Sequence, residues 1–243
     1  MNRLFLLLFL FTACNTAEEP VQEATLPGAS DILRRSLQFH DPEEQWPLSH
    51  FQMIIDEPRT NFPERQSTIL LNLPESTFEV TRNYEGTLVR RGMTADSCYN
   101  FIDGQPVHPA DSATVLQYRL QCDRTQGYRS FYQLLTGLPM TLFSPEVSLG
   151  EDVEAVSFGP YACYAVPARL NNPIIGEQWV FYFDQSDFQL RGYRAAGEGA
   201  AEYLELDGLL PVNGMQLPRM RHWYNIADST YMGSDIVITV EAL

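Results

Sequence analysis

Lysine is absent from this chain: all 16 basic residues are arginine. That excludes Schiff-base and lysine general-base chemistry. Histidine is scarce, at His40, His50, His108 and His222. The sequence has no G-x-S-x-G elbow, no Walker-type phosphate loop, no H-E-x-x-H and no C-x-x-C, so the common signatures of hydrolases, nucleotide sites and zinc sites are missing. Gly197-Glu198-Gly199 is too short for a nucleotide fingerprint and reads as a hairpin loop. Positive charge is also in short supply, with 31 acidic residues giving a net charge of −15. A surface of that sign repels nucleic acid and anionic lipid head groups. The expectation is a non-enzyme with no metal and no cofactor.

The one long apolar run comes first. Arg3 supplies a positive charge, Leu4 to Phe11 is unbroken Leu and Phe, and Thr12-Ala13 places small residues before Cys14. This order is that of a secretory signal. The run is far shorter than the roughly 20 residues that span a bilayer, so a permanent transmembrane helix is not expected. Phe11-Thr12-Ala13-Cys14 resembles the bacterial lipobox, with Phe11 where Leu is usual. The resemblance implies cleavage after residue 13 and a lipid anchor on Cys14. The mature chain then keeps all 31 acidic residues and 15 of the 16 basic ones, a net charge of −16. Two acyl chains, at about 0.8 kcal/mol per buried methylene, hold such a body on a membrane where electrostatics alone would not. Residues 14–28 are polar and aperiodic, a flexible tether. Glu18-Glu19 resembles the acidic surface-export signal of Bacteroidota lipoproteins, and Asn15 is not the Asp of inner-membrane retention, so the expected location is the outer membrane, on its periplasmic or cell-surface side.

About 215 residues follow, from 29 to 243, enough for a single domain with its own core. Ser30 to His40 reads as an amphipathic helix that stops before Pro42. From Leu48 the period changes to that of strands, among them Thr77 to Tyr84, Thr87 to Met93, Gln178 to Asp184 and Asp235 to Val240. Asp103-Gly104 and Asn213-Gly214 are turn signals. Two mid-chain helices are expected, from Pro109 to Cys122 and from Tyr128 to Leu138. Trp179-Val180-Phe181-Tyr182-Phe183 is apolar on both faces, so that strand should be covered on both sides. The sum is an α+β fold of about eleven strands in an antiparallel sheet, with about three helices collected against it. Cys98 and Cys122 are the closest cysteine pair and a possible disulfide in an oxidising compartment; Cys163 is left over.

This order of elements resembles the lipoprotein-sorting (LolA/LolB-like) fold. The second half resembles an uncharacterised family of Bacteroidota lipoproteins sharing that fold. The resemblance rests on Phe131 to Leu142, Gly176 to Asp184 with Leu190 to Tyr193, and Pro211 to Met215 through Arg221 to Asn225. It implies a curved, incomplete barrel whose concave, apolar face is partly closed by helices. Such a cavity suits a lipid, an acyl chain or another apolar ligand. Phe51, Met53, Phe78, Phe131, Leu134, Phe181 and Trp223 are the candidate lining residues, with ordinary core packing as the competing role for each.

Three functional classes follow. The first is an outer-membrane-anchored, non-catalytic binder of an apolar ligand. The second is a surface module meeting a protein or glycan. The third is a hydrolase with an unrecognised site, for which His222, between Arg221 and Trp223, is the most suggestive base. His40, beside Asp41 at a helix end, reads as a capping residue. Asp184 and Asp187 flank a turn and read as solvated turn residues rather than a carboxylate pair.

Overall fold

The computed structural model describes residues 26–61, 63–95, 97–108, 111–170, 177–197 and 200–243. The expected signal sequence, Cys14 and most of the expected tether lie outside the described residues.

Among the described residues fourteen strands form one sheet, antiparallel throughout. The first meander comprises β1 (His50–Glu57), β2 (Arg65–Asn72), β3 (Thr77–Tyr84), β4 (Thr87–Met93), β5 (Cys98–Ile102) and the two-residue β6 (Gln105–Pro106). The second contains β7 (Val147–Leu149), β8 (Glu154–Phe158), β9 (Tyr161–Leu170), β10 (Gln178–Asp184), β11 (Leu190–Gly197), β12 (Ala200–Val212), β13 (Met215–Asn225) and β14 (Tyr231–Ala242). The strand order β6-β5-β4-β3-β2-β1-β14-β13-β12-β11-β10-β9-β7 joins the two meanders through β1 and β14. The first and last strands thus pair at the middle, and the two ends of the sheet do not meet. Among the described residues, helix α1 (Ala29–His40) precedes β1, and α2 (Ser112–Gln117) and α3 (Cys122–Thr136) lie between the two meanders.

The strand count exceeds the expected eleven partly because β6 and β7 are too short to show a period. The helix from Pro109 is shortened: α2 begins after Asp111, whose side chain accepts the Thr114 N–H, while Pro109 lies outside the described residues. Asp103-Gly104 and Asn213-Gly214 both form hairpin turns with positive φ at both positions, 49° and 79° in the first and 46° and 80° in the second.

Strand alternation sends one set of side chains to the helices. Phe51, Met53 and Ile55 of β1, Ile69 and Leu71 of β2, and Phe78 and Val80 of β3 form one apolar cluster with Tyr132 and Met140. Trp179, Phe181 and Phe183 of β10 form a second cluster with Ile32 and Leu33 of α1 and Leu135 of α3. Phe131 and Leu37 touch both clusters. The opposite side of β10 is covered too: Tyr182 stacks on Phe158 of β8 at 4.2 Å and 8°. Gly192 sits beneath that stack, where a Cβ would run into the Phe158 ring and the Leu204 carbonyl.

Helix α3 is tied to the first meander at its start. Cys98, the first residue of β5, is bonded to Cys122, the first residue of α3. Arg91 donates to the carbonyls of Tyr118 and Arg119, both at 2.7 Å, and Asn100 donates to that of Leu120 at 3.0 Å.

Candidate ligand clefts and a buried charge strip

The inner face is not uniformly apolar, contrary to what the resemblance implies. On the central strands the inward positions turn charged: Glu57 after Ile55, Arg82 after Val80, Arg221 before Trp223, and Asp235 before Val237. All four are at most 4 % exposed. Glu57 accepts from Ser67 Oγ at 2.5 Å, Arg65 Nε at 2.8 Å and Tyr132 OH at 2.8 Å, and it pairs with Arg82 at 3.3 Å. The Arg82 Nη2 also donates to the Tyr132 hydroxyl at 2.5 Å. Burial works to raise the Glu57 pKa, but Arg82, Arg65 and Ser67 outweigh it and hold the carboxyl at about 2. Asp235 is paired with Arg59 at 2.5 Å, and Arg59 also donates to the Ser234 and Pro58 carbonyls. These groups hold α3 against the sheet through Tyr132. The helix is anchored there by charge-assisted bonds as well as apolar packing.

Several clefts open around this interior. One, of about 370 Å³, is lined by Arg59, Thr60, Asn61, Phe131, Glu202, Trp223 and Met232. Phe131 of α3 lies parallel to Trp223 of β13 at 5.9 Å and 15°. Glu202, inward on β12 with Leu204, accepts from the Tyr193 hydroxyl at 3.3 Å. It has no salt-bridge partner among the described residues. Burial, with Asp235 nearby, pushes its pKa up to about 7. A second cleft, of about 420 Å³, is lined by Trp46, Pro47, Leu134, Met140, Phe143 and Leu170 among others. A third, of about 430 Å³, shares Trp46, Pro47, Met140 and Phe143 with it and reaches Arg34 and Leu37 of α1.

The seven lining candidates therefore separate. Phe131 and Trp223 face each other in the first cleft, and Leu134 lines the second. Phe51, Met53, Phe78 and Phe181 are at most 1 % exposed inside the two clusters and border none of these clefts, because helix side chains fill the space above them. Sequence reading missed Arg59, Glu202 and Met232, together with the charge strip. The signal lay in strand parity: Glu57, Arg82, Glu202 and Asp235 each share the phase of the apolar residues beside them.

The other reactive candidates have structural partners. His40 is fully buried; its Nδ1 donates to the Gln216 carbonyl at 2.7 Å and its Nε2 accepts the Leu190 N–H at 3.1 Å. Burial pushes its pKa down to about 4. His40 thus joins α1 to β11 and β13. Asp184 is not a solvated turn residue: it is 6 % exposed, caps the Ser186 N–H at 2.9 Å and pairs with Arg191 at 2.7 Å. His222 Nδ1 lies 2.7 Å from Ser234 Oγ, which is 2.5 Å from Tyr231 OH. That serine is 2 % exposed and its peptide N–H donates to the Pro58 carbonyl. Among the described residues no cluster of His, Cys, Asp and Glu is placed to hold a metal, and no helix is long and apolar enough to cross a membrane.

An open antiparallel sheet with helices laid across one face is an architecture shared with solved structures. The LolA superfamily protein NE2245 from Nitrosomonas europaea matches with a TM-score of 0.53 at 13% identity, over 89% of this chain and 94% of that one. A domain from Vibrio parahaemolyticus described as outer membrane lipoprotein-sorting matches with a TM-score of 0.50 at 9% identity, over 88% and 90%. At these identities the likeness is one of fold. No curated protein matches the chain in sequence. The chain belongs to a family of unknown function, DUF6503, whose family model matches residues 3–240.

Proposed function

We propose that this protein is an exported lipoprotein, held on the outer membrane by lipid on Cys14, that binds an apolar ligand such as a lipid or acyl chain without catalysis. The observation that carries this reading is the cleft between α3 and the sheet, where Phe131, Trp223 and Met232 offer an apolar wall at the mouth of a half-barrel. Its volume falls within the range of small-ligand sites, roughly 300–1,000 Å³. The lipobox-like Phe11 to Cys14 and the fold shared with a lipoprotein-sorting domain support the location and the ligand class. An anchored domain of this kind receives, holds or senses cargo rather than ferrying it. Native mass spectrometry of protein from its own envelope tests the idea. Co-purified lipid is expected, together with an acylated Cys14; repeated ligand-free spectra of a protein with an unmodified thiol would overturn it.

A second reading, a surface interaction module, draws on the convex face. Tyr203 stacks on Tyr224 at 4.8 Å and 9°, Tyr224 meets Tyr231 edge-on at 5.7 Å, and Arg194 lies over Tyr203. Such a row suits a sugar ring or a partner protein. Retention of an envelope glycan that is lost on Tyr224→Ala, with no lipid bound, would favour this reading over the first.

A further inference from the structure

We infer that the cleft beside Glu202 selects an ammonium-bearing amphiphile, with Glu202 as the counter-charge and Trp223 Nε1–H as donor to an oxygen beside the ammonium. The inference rests on the proposed apolar-ligand function and adds a head-group class to it.

Three observations carry it. The first is an imbalance of charge. Two basic groups stand near this part of the fold, and neither is paired with Glu202: Arg59 lines the cleft but is paired with Asp235 and two carbonyls, while Arg221 is buried, donates to the Leu135 carbonyl and leaves its Nε without a partner. Glu202 is left with one neutral donor, Tyr193. A carboxylate withdrawn from water with no cation beside it is costly, which its raised pKa reflects. An incoming ammonium reverses that cost. The second is an orphan donor. Trp223, itself a wall of the cleft, is 7 % exposed, and its Nε1–H has no hydrogen-bond partner. A buried donor of that kind is satisfied by a ligand oxygen, such as a phosphate or hydroxyl. The third is the apolar remainder, Phe131 and Met232, which takes the first methylenes of a chain. Acceptor, donor and apolar wall together match an aminated head joined to an aliphatic tail.

The experiment compares lysophosphatidylethanolamine, lysophosphatidylglycerol and monoacylglycerol with the same acyl chain, titrated below their micelle concentrations into the full-length protein carrying Cys14→Ser. Phosphoethanolamine without a chain is the fourth probe. The ethanolamine lipid is expected to bind about tenfold tighter than the other two, the scale of a hydrogen bond to a charged group. In Glu202→Gln, which keeps an acceptor for Tyr193, that preference is expected to vanish. Equal affinities for all three lipids in the unmodified site would overturn the head-group inference and leave the proposed function standing. Failure of every lipid to bind would overturn the proposed function. Binding of phosphoethanolamine as tight as that of its lipid would keep the Glu202 site but assign it to a soluble amine.

Discussion

Replacing Arg82 and Glu57, singly and together, tests whether the buried charge strip holds α3 by mutual dependence. Arg82→Met leaves the Glu57 carboxylate 1 % exposed with Arg65, Ser67 and Tyr132 as partners. Removing one member of a buried pair costs about 3–5 kcal/mol; the surviving partners put this variant near 3 kcal/mol. Glu57→Met strands Arg82 with only neutral groups, Ser67 Oγ at 2.7 Å and Tyr132 at 2.5 Å, and is expected at about 4 kcal/mol. The double variant removes both charges and leaves chiefly an under-bonded Tyr132 hydroxyl, a cost of about 1–3 kcal/mol. The cycle therefore predicts a coupling of about 4 kcal/mol or more. Equilibrium unfolding in urea, with unchanged m-values, measures all four proteins. If the double variant loses the sum of the two singles within about 0.5 kcal/mol, the residues are independent and the account of α3 as charge-anchored is wrong.

Other perturbations separate the remaining contributions. The His40 pKa, depressed from 6.5 to about 4, means the folded state binds fewer protons than the unfolded chain between those values. Its contribution is complete above pH 6.5 and declines as pH falls toward 4, by about 3 kcal/mol; His40→Asn should flatten that part of a urea-midpoint-versus-pH curve, and an unchanged slope would count against it. Glu202 runs the opposite way. With its pKa raised from 4.5 to about 7, its protonated form favours folding at low pH, and the benefit disappears as pH rises through 7. Glu202→Gln should therefore be more stable than the unmodified protein at pH 8, by about 1–2 kcal/mol once partial exposure is discounted; a destabilised variant there contradicts the unpaired carboxylate. The Cys98–Cys122 bond closes a loop with a separation of 24 residues, so a Cys98→Ser/Cys122→Ser protein should lose about 3.5 kcal/mol by chain entropy. Coincident unfolding curves with and without the bond would remove that contribution.

Much of the fold was legible because long strands alternate. Thr77–Tyr84, Thr87–Met93 and Gln178–Asp184 have the bounds their patterns suggest, and the double-sided apolarity of β10 is explained by Phe158 covering Tyr182. The pairing of β1 with β14 was not legible, since nothing local in either strand specifies a partner more than 170 residues away. The site was legible only in part. Phe131 and Trp223 were picked for bulk and aromaticity, and so were Phe51 and Phe181, which are core; residue type does not say whether a helix will fill the space above it. Glu202 and Arg59 belong to no motif, so nothing marked them. Parity places Glu202 inward with Leu204, whereas Arg59 lies beyond the end of β1, where no alternation applies.

An open sheet whose inner face is filled by helix side chains limits how the proposed apolar ligand is held. Burying about eight methylenes in an open cleft contributes roughly 6 kcal/mol at about 0.8 kcal/mol each. Association itself costs about 4 kcal/mol or more, so chain contacts alone leave a net of at most about 2 kcal/mol, weaker than millimolar affinity. Deeper insertion requires α3 to leave the sheet, against the Cys98–Cys122 bond, the Tyr132 hydrogen bonds and the packing of Phe131. Either the helix lifts, or polar contacts at the rim make up the difference. Glu202, bonded to Tyr193 and to no cation, lines that cleft, with the partnerless indole N–H of Trp223 buried beside it, and one ionic contact to Glu202 adds about 1.5–3 kcal/mol without moving the helix. The geometry thus favours recognition of the head group before, and independently of, any opening of the barrel.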